Sequence, residues 1–345
     1  MKRVILLCFL LVGFMSCNNQ EQVFPDYAYT TGYFPYQYPV RTLLLGNDML
    51  YDNSNDNAHK FVISATMGGV YENTKNRAFT FRVDNSLCDN VLFRTSGKSV
   101  KVLPSNYYSL SSPDKIIIGS GNMSGGIEVQ LTDAFFNDPE AISLNYVIPL
   151  KLVSVDGLDS LLVGRSTLPN PDPRVAGDWT IVPKDFTMFA IKFRNPFDGT
   201  FLHRGRTEVS GSIQETVVYR ERFVENDDLR SVTTSGKNQV SLSAPARIPG
   251  KTGTINLALN FPDGSIGDAN CSIAGTIVYD SQSFNISGTG SFVQGKESWG
   301  GKDRDVLYLS YQASDAVNNI AFAATDTLVL RDRNMALETY ELVFP

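Results

Sequence analysis

Residues 142–152 read Ile142-Ser143-Leu144-Asn145-Tyr146-Val147-Ile148-Pro149-Leu150-Lys151-Leu152, with an apolar side chain at every even position. A two-residue period marks an extended strand with one face buried and one wet. Shorter copies of the pattern lie upstream. Phe61, Ile63 and Ala65 alternate with Val62, Ser64 and Thr66; Phe79, Phe81 and Val83 with Thr80 and Arg82; Ile127, Val129 and Leu131 with Glu128 and Gln130. Gly68-Gly69, Ser96-Gly97, Gly119-Ser120-Gly121 and Gly125-Gly126 supply the turns between them. The one helix-like interruption, Thr132 to Asp138, is too short to shape a fold. Strands at this spacing predict an antiparallel sandwich of immunoglobulin-like type.

Downstream, Leu168-Pro169-Asn170-Pro171-Asp172-Pro173 breaks the alternation. Alternate prolines force an extended, semi-rigid connection, so a domain boundary is expected at 164–176. Alternation then resumes over 188–193, 207–219, 239–242, 255–261, 272–279, 284–292, 306–311, 327–330 and 337–343. That number of strands suits an antiparallel meander closing into a lipocalin-like barrel with a core or one small ligand inside; a second sandwich is the alternative. No amphipathic helix longer than two turns is visible, which excludes a parallel β/α architecture. At 345 residues the all-β chain exceeds the size of a single core. The expected units are a sandwich over 32–163 and a barrel or sandwich over 177–345.

The first residues carry a different signal. Lys2 and Arg3 precede an apolar run from Val4 to Val12 and then Gly13-Phe14-Met15-Ser16-Cys17. A run this short does not span a bilayer of roughly 30 Å as a helix, so 1–16 reads as a signal peptide. The small residue before Cys17 resembles a bacterial lipobox, which makes Cys17 the expected lipidation site and 17–31 a tether. Such a lipid would hold the protein on a membrane without crossing it. Loss of 1–16 removes Lys2 and Arg3 and no acid, moving the net charge from −6 to −8. An acidic chain with no basic run is a poor partner for nucleic acid. Cys88 and Cys271, far apart, read as buried small side chains and not as a disulfide.

Two groups of residues then point to a family. Tyr33-Phe34-Pro35-Tyr36-Gln37-Tyr38-Pro39-Val40-Arg41-Thr42, Lys60-Phe61-Val62-Ile63 and Met67-Gly68-Gly69-Val70-Tyr71-Glu72-Asn73 resemble the N-terminal domain of unknown function of Bacteroidetes outer-membrane lipoproteins. The same module precedes the catalytic barrel of some secreted endo-β-N-acetylglucosaminidases. Asn195-Pro196-Phe197, a turn at Leu202-His203-Arg204-Gly205, Gly288-Thr289-Gly290-Ser291-Phe292, Trp299-Gly300-Gly301-Lys302-Asp303-Arg304-Asp305 and Asp326-Thr327-Leu328-Val329-Leu330-Arg331-Asp332-Arg333 resemble its companion C-terminal domain of unknown function. The resemblance implies an outer-membrane, cell-surface place in a polysaccharide-utilisation system, beside an importer and a starch-binding-type lipoprotein. Surface export in that group is favoured by acids after the lipidated cysteine, where this chain has only Glu21, so the periplasmic face stays open.

Catalytic chemistry is hard to assemble from these residues. Glycoside hydrolysis needs two carboxylates about 5 to 9.5 Å apart, one with a raised pKa; the acids at Asp48/Asp52/Asp56, Asp227/Asp228 and Asp303/Asp305 read as solvated turn residues. His59 and His203 are the only histidines, in separate domains, so neither a triad nor a histidine metal site is expected; His203 is expected to order a turn. Asp52-Asn53-Ser54-Asn55-Asp56 faintly resembles a calcium loop but has Asn57 and Ile63 where glycine and glutamate belong. No cofactor or metal is therefore expected. Sugar binding asks for exposed rings beside hydrogen-bonding groups. Trp299 is the leading candidate, followed by Tyr107, Tyr108 and Tyr36, while Trp179 is expected to pin the two domains together. Asp159-Ser160-Leu161 and Asp326-Thr327-Leu328 resemble acceptors for bacterial O-glycosylation. The expected function is a non-catalytic lipoprotein that binds oligo- or polysaccharide. A structural or protein-partner lipoprotein is the first alternative and a glycoside hydrolase the second.

Overall fold

The computed structural model describes residues 25–262 and 267–345. The expected signal peptide and Cys17 lie outside the described residues. What is described is nearly all-β, a sandwich followed by a closed barrel.

One sheet of the sandwich has the order Ser160–Leu161, Thr31–Tyr33, Lys60–Gly68, Ser124–Leu131, Tyr108–Leu110. The other runs Glu338–Thr339, Pro39–Leu44, Phe186–Arg194, Tyr146–Asp156, Arg77–Val83, Lys115–Ile118. Phe61, Ile63, Ala65 and Met67 from the first meet Phe79, Phe81, Ile148, Leu150, Ile191 and Phe193 from the second. The long stripe starts later than its pattern indicates, because Pro139–Ile142 forms a 3-10 turn. From Tyr146 to Leu150 every residue is buried. Even positions face the partner sheet, whereas Val147 packs outward with Phe186 and Met188 against Leu87, Phe93, Tyr340 and Leu342. The second sheet is thus covered on both faces at its centre, along Tyr146–Leu150 and Phe186–Ile191, and the expectation of one wet face fails there.

Pairing also departs from a division at 164–176. Phe186–Arg194 lies between Pro39–Leu44, to which it is parallel, and Tyr146–Asp156. Glu338–Thr339 and Leu342–Val343 return from the far end of the chain to pair with Pro39–Val40 and Leu92–Phe93. The proline-rich segment folds onto the sandwich: Arg174 holds Asp172 and the carbonyls of Leu87 and Asp89, and Trp179 Nε1 donates to Asp172 O at 2.7 Å. Trp179 therefore pins that segment to itself and not one domain to the other.

The barrel comprises Gly199–Gly211, Asp228–Gly236, Gln239–Pro245, Gly253–Asn260, Ala269–Tyr279, Gln282–Trp299, Lys302–Asp315 and Ile320–Asp332. Each pairs antiparallel with the next, and the first closes on the last from Thr200↔Asp332 to Gly211↔Ile320. Glu215–Tyr219 pairs beside Gly205–Val209, so the expected 207–219 strand is a hairpin. Asp228–Gly236 was not evident in sequence because only Val232 of its residues is buried. The interior is a core of Phe197, Phe201, Phe261, Phe292 and Phe322 with aliphatic neighbours; Phe197 and Phe261 stack at 3.6 Å. A cavity at one end measures about 10 Å³, the lower limit for one water.

Leu202-His203-Arg204-Gly205 is strand and not turn. His203, buried, sets Nε2 3.1 Å from Asp326 Oδ2, and Asp326 also accepts hydrogen bonds from Tyr311, at 2.7 Å, and Tyr219. Burial, with the Asp326 charge, raises the Tyr219 and Tyr311 hydroxyls well above their ordinary range. Gly205 makes room for this cluster. A Cβ there would stand 2.4 Å from Asp326 Oδ1, 2.5 Å from Thr325 O and 2.9 Å from the Tyr219 ring. Gly205→Ala should lower stability by about 1–3 kcal/mol, the usual cost of overpacking, read as a lower urea midpoint at unchanged slope. An unchanged midpoint would mean the cluster tolerates the methyl.

Candidate functional site

A groove of about 650 Å³ opens along the sandwich. Its walls are the 34–36 loop, Pro39–Leu44, the 51–56 loop, residues 62–64, residues 187–189 and the 335–337 segment that leaves the barrel. The 34–38 turn is fixed by main-chain bonds from Phe34 N to Lys184 O and from Met188 N to Gln37 O, and by Gln37 Nε2 to Phe34 O. That turn contributes Tyr36, 51% exposed, to the groove that Tyr51 of the Asx-rich loop, 54% exposed, also lines. Phe189, half-buried, also lines the groove and stacks on Phe61 at 5.4 Å and 15°.

Polar groups ring this apolar floor. Asp56 is buried, accepts the Leu44 amide at 3.0 Å and pairs with Arg41. Burial pushes its carboxyl up, against the pull of the Leu44 amide and Arg41. Asn53 Nδ2 donates to the Leu44 and Gly46 carbonyls, and Asp52 accepts the Ser54 amide and stays exposed. The 52–56 stretch is thus a short helix, Ser54–Asn57, folded onto the sheet edge. Among the described residues no three His, Cys, Asp or Glu side chains gather as a metal site would require. Thr187, buried at the groove, has a hydroxyl without a hydrogen-bond partner.

Of the four ring residues singled out in sequence, only Tyr36 lines the groove. Tyr107 packs edge-on to Phe135 and Tyr146 and donates to Asp138, and Tyr108 is half-buried beside the same core. Trp299 sits before the Gly300-Gly301 hairpin tip, against Leu202, Val306 and Val329. Its Nε1 donates to Leu330 O at 3.1 Å and one ring face lies 4.0 Å under Arg304. It is therefore half-covered and its polar atom is engaged. Tyr51 and Phe189 were not singled out; the Asx-rich run beside Tyr51 was the available signal, and it drew attention to calcium.

Other expectations also change. Asp56, Asp227 and Asp305 are buried and not solvated. Asp227 holds Arg204 Nε at 2.5 Å and Asp305 the Gly295 amide at 2.9 Å. Cys88 and Cys271 are free and buried, and burial raises their thiols to about 12 and about 11. Asp159 of the first glycosylation-like triplet holds Thr30, while Asp326 of the second faces the barrel core.

The 335–337 wall of the groove depends on Glu338. Its carboxylate accepts from Thr42 Oγ1 at 2.9 Å and Lys192 Nζ at 2.7 Å, just beyond the lining residues 335–337. Burial alone would raise its pKa; the Lys192 and Thr42 bonds with the Lys192 and Arg194 charges outweigh that, and the net direction is down. A depressed carboxyl stabilises the folded state above its unfolded pKa, and the gain is lost as pH falls through the folded value. Acid below the usual carboxylate range should therefore loosen 335–343 first, seen as faster amide exchange there than in the barrel, and Glu338→Gln should abolish that selective acid response. Equal acid sensitivity in wild type and variant would refute the assignment.

Residues 27–159 match a family model described as an N-terminal domain, and residues 196–334 match one described as a domain of unknown function, DUF5627. A crystal structure of a Bacteroides ovatus protein of unknown function is 40% identical, covers 93% of this chain and 100% of its own, and superposes with a TM-score of 0.83. A second Bacteroides ovatus structure, provisionally described as carbohydrate-binding, is 12% identical with a TM-score of 0.28, covering 89% of this chain and 99% of its own. No curated protein matches.

Proposed function

The chain belongs to the family of that first Bacteroides ovatus protein, and we propose that it is a non-catalytic lipoprotein of the cell envelope that holds glycan in the sandwich groove. The observation that carries this reading is the pair of exposed rings, Tyr36 and Tyr51, lining one concave surface whose walls also supply Asp52, Asn53 and Ser64. Aromatic faces flanked by a few hydroxyl, amide and carboxylate groups suit the alternating apolar and hydroxylated surfaces of a sugar. The leader ending at Cys17 supports a lipid anchor, and the resemblance to lipoproteins of polysaccharide uptake supports a place beside an importer at the cell surface.

Two measurements test the reading. Calorimetry against a panel of plant and host oligosaccharides should find a ligand that Tyr36→Ala with Tyr51→Ala binds at least about tenfold more weakly, a loss of about 1.4 kcal/mol, while Trp299→Ala keeps most of the affinity. No binding across the panel would favour the protein-partner reading, and turnover of any oligosaccharide would favour the hydrolase.

A further inference from the structure

A second concave face lies at the end of the sandwich where the described chain begins. Tyr29, Val153, Val163 and Ile181 are 46–61% exposed and line one groove of about 520 Å³. The edge strand Ser160–Leu161, parallel to Thr31–Gly32, brings the 153–163 hairpin beside Tyr29, and the Arg165↔Ile181 bridge adds Ile181. Tyr27, two residues before Tyr29, is 81% exposed. Single exposed apolar residues are ordinary on a protein surface; several opening into one depression mark a contact site.

The charges there balance. The charged lining residues are Asp159 and Arg165. Asp159 accepts from Thr30 N and Oγ1, both at 2.7 Å, and those bonds hold it below the usual carboxylate range. Seven residues lie between Cys17 and Pro25, and the eight steps of chain that join them reach at most about 28 Å when fully extended. A lipid on Cys17 thus keeps the Tyr27–Tyr29 end within one bilayer thickness of the membrane, where tyrosine rings and short apolar side chains are accommodated at the headgroup level.

We propose that this face rests on the lipid surface to which Cys17 is anchored, with Tyr27, Tyr29, Val163 and Ile181 entering the headgroup region and Arg165 meeting lipid phosphate. The proposal rests on the lipid-anchor reading and is independent of what fills the other groove.

The test is hydrogen exchange on the full mature chain, acylated and incorporated in vesicles of phosphatidylethanolamine and phosphatidylglycerol, against the Cys17→Ser chain in solution. Amides of 27–31, 153–165 and 179–182 should slow roughly tenfold on the vesicle, with the barrel unchanged. Val163→Asp with Ile181→Asp should remove that protection. Unchanged exchange in an acylated, vesicle-bound chain overturns the proposal and leaves the anchor standing. Equal protection in the vesicle-free Cys17→Ser chain at high concentration would assign the face to a second copy and also overturn it. Intact mass without an acyl group on Cys17 would overturn the anchor, and the proposal with it.

Discussion

The guanidinium of Arg333 is buried and bonded to four main-chain carbonyls: Leu45 O at 2.7 Å and Asn47 O at 3.1 Å from the sandwich, Asn195 O at 2.7 Å and Asp198 O at 3.0 Å from the corner that enters the barrel. Burial lowers its pKa to about 10, with Asp198, Asp48 and Asp305 opposing that shift, so the group stays charged at neutral pH. A buried cation is tolerated only when its donors are matched, and here the match requires both domains at once. Gly46 completes the joint at φ +89, since a Cβ would stand 2.8 Å from Pro196 and 3.2 Å from Arg333 Nη1.

This joint fixes the groove. Arg333 ends the last barrel strand, the chain then passes through 335–337, which line the groove, and Glu338 reattaches it to Thr42 and Lys192. Leu45 and Asn47, held by Arg333, lead directly into the loop that carries Tyr51 and Asp52. The barrel, whose own interior is filled by side chains, therefore shapes the groove from outside, by setting two walls of a cleft in the neighbouring domain.

Much of this was legible in the residues and some was not. Period-two alternation located the strands carrying Phe61, Phe79, Ile127 and Ile148, because each has one face against a core. It did not reveal that Tyr146–Leu150 is buried on both faces, and it missed Asp228–Gly236, where little is buried. Prolines at 169, 171 and 173 drew the boundary early, since a rigid surface loop and an interdomain linker share the same local chemistry. The crossing itself, Asn195-Pro196-Phe197 and Arg333, lay within the residues that carried the family resemblance; their role depends on contacts 135 to 288 positions apart. Tyr36 was found as an exposed ring, whereas Tyr51 and Phe189 join it only through folding, which no local spacing encodes.

The most direct test of the joint is equilibrium urea unfolding of Arg333→Met followed by both barrel and sandwich amides. The wild type should unfold in one transition. The variant, with the Asp198, Leu45 and Asn195 carbonyls left without the buried Arg333 donors, should lose about 3 kcal/mol or more, split into two transitions and release the 45–52 and 335–343 segments to rapid exchange. A variant that unfolds in one transition at the wild-type midpoint would contradict the account.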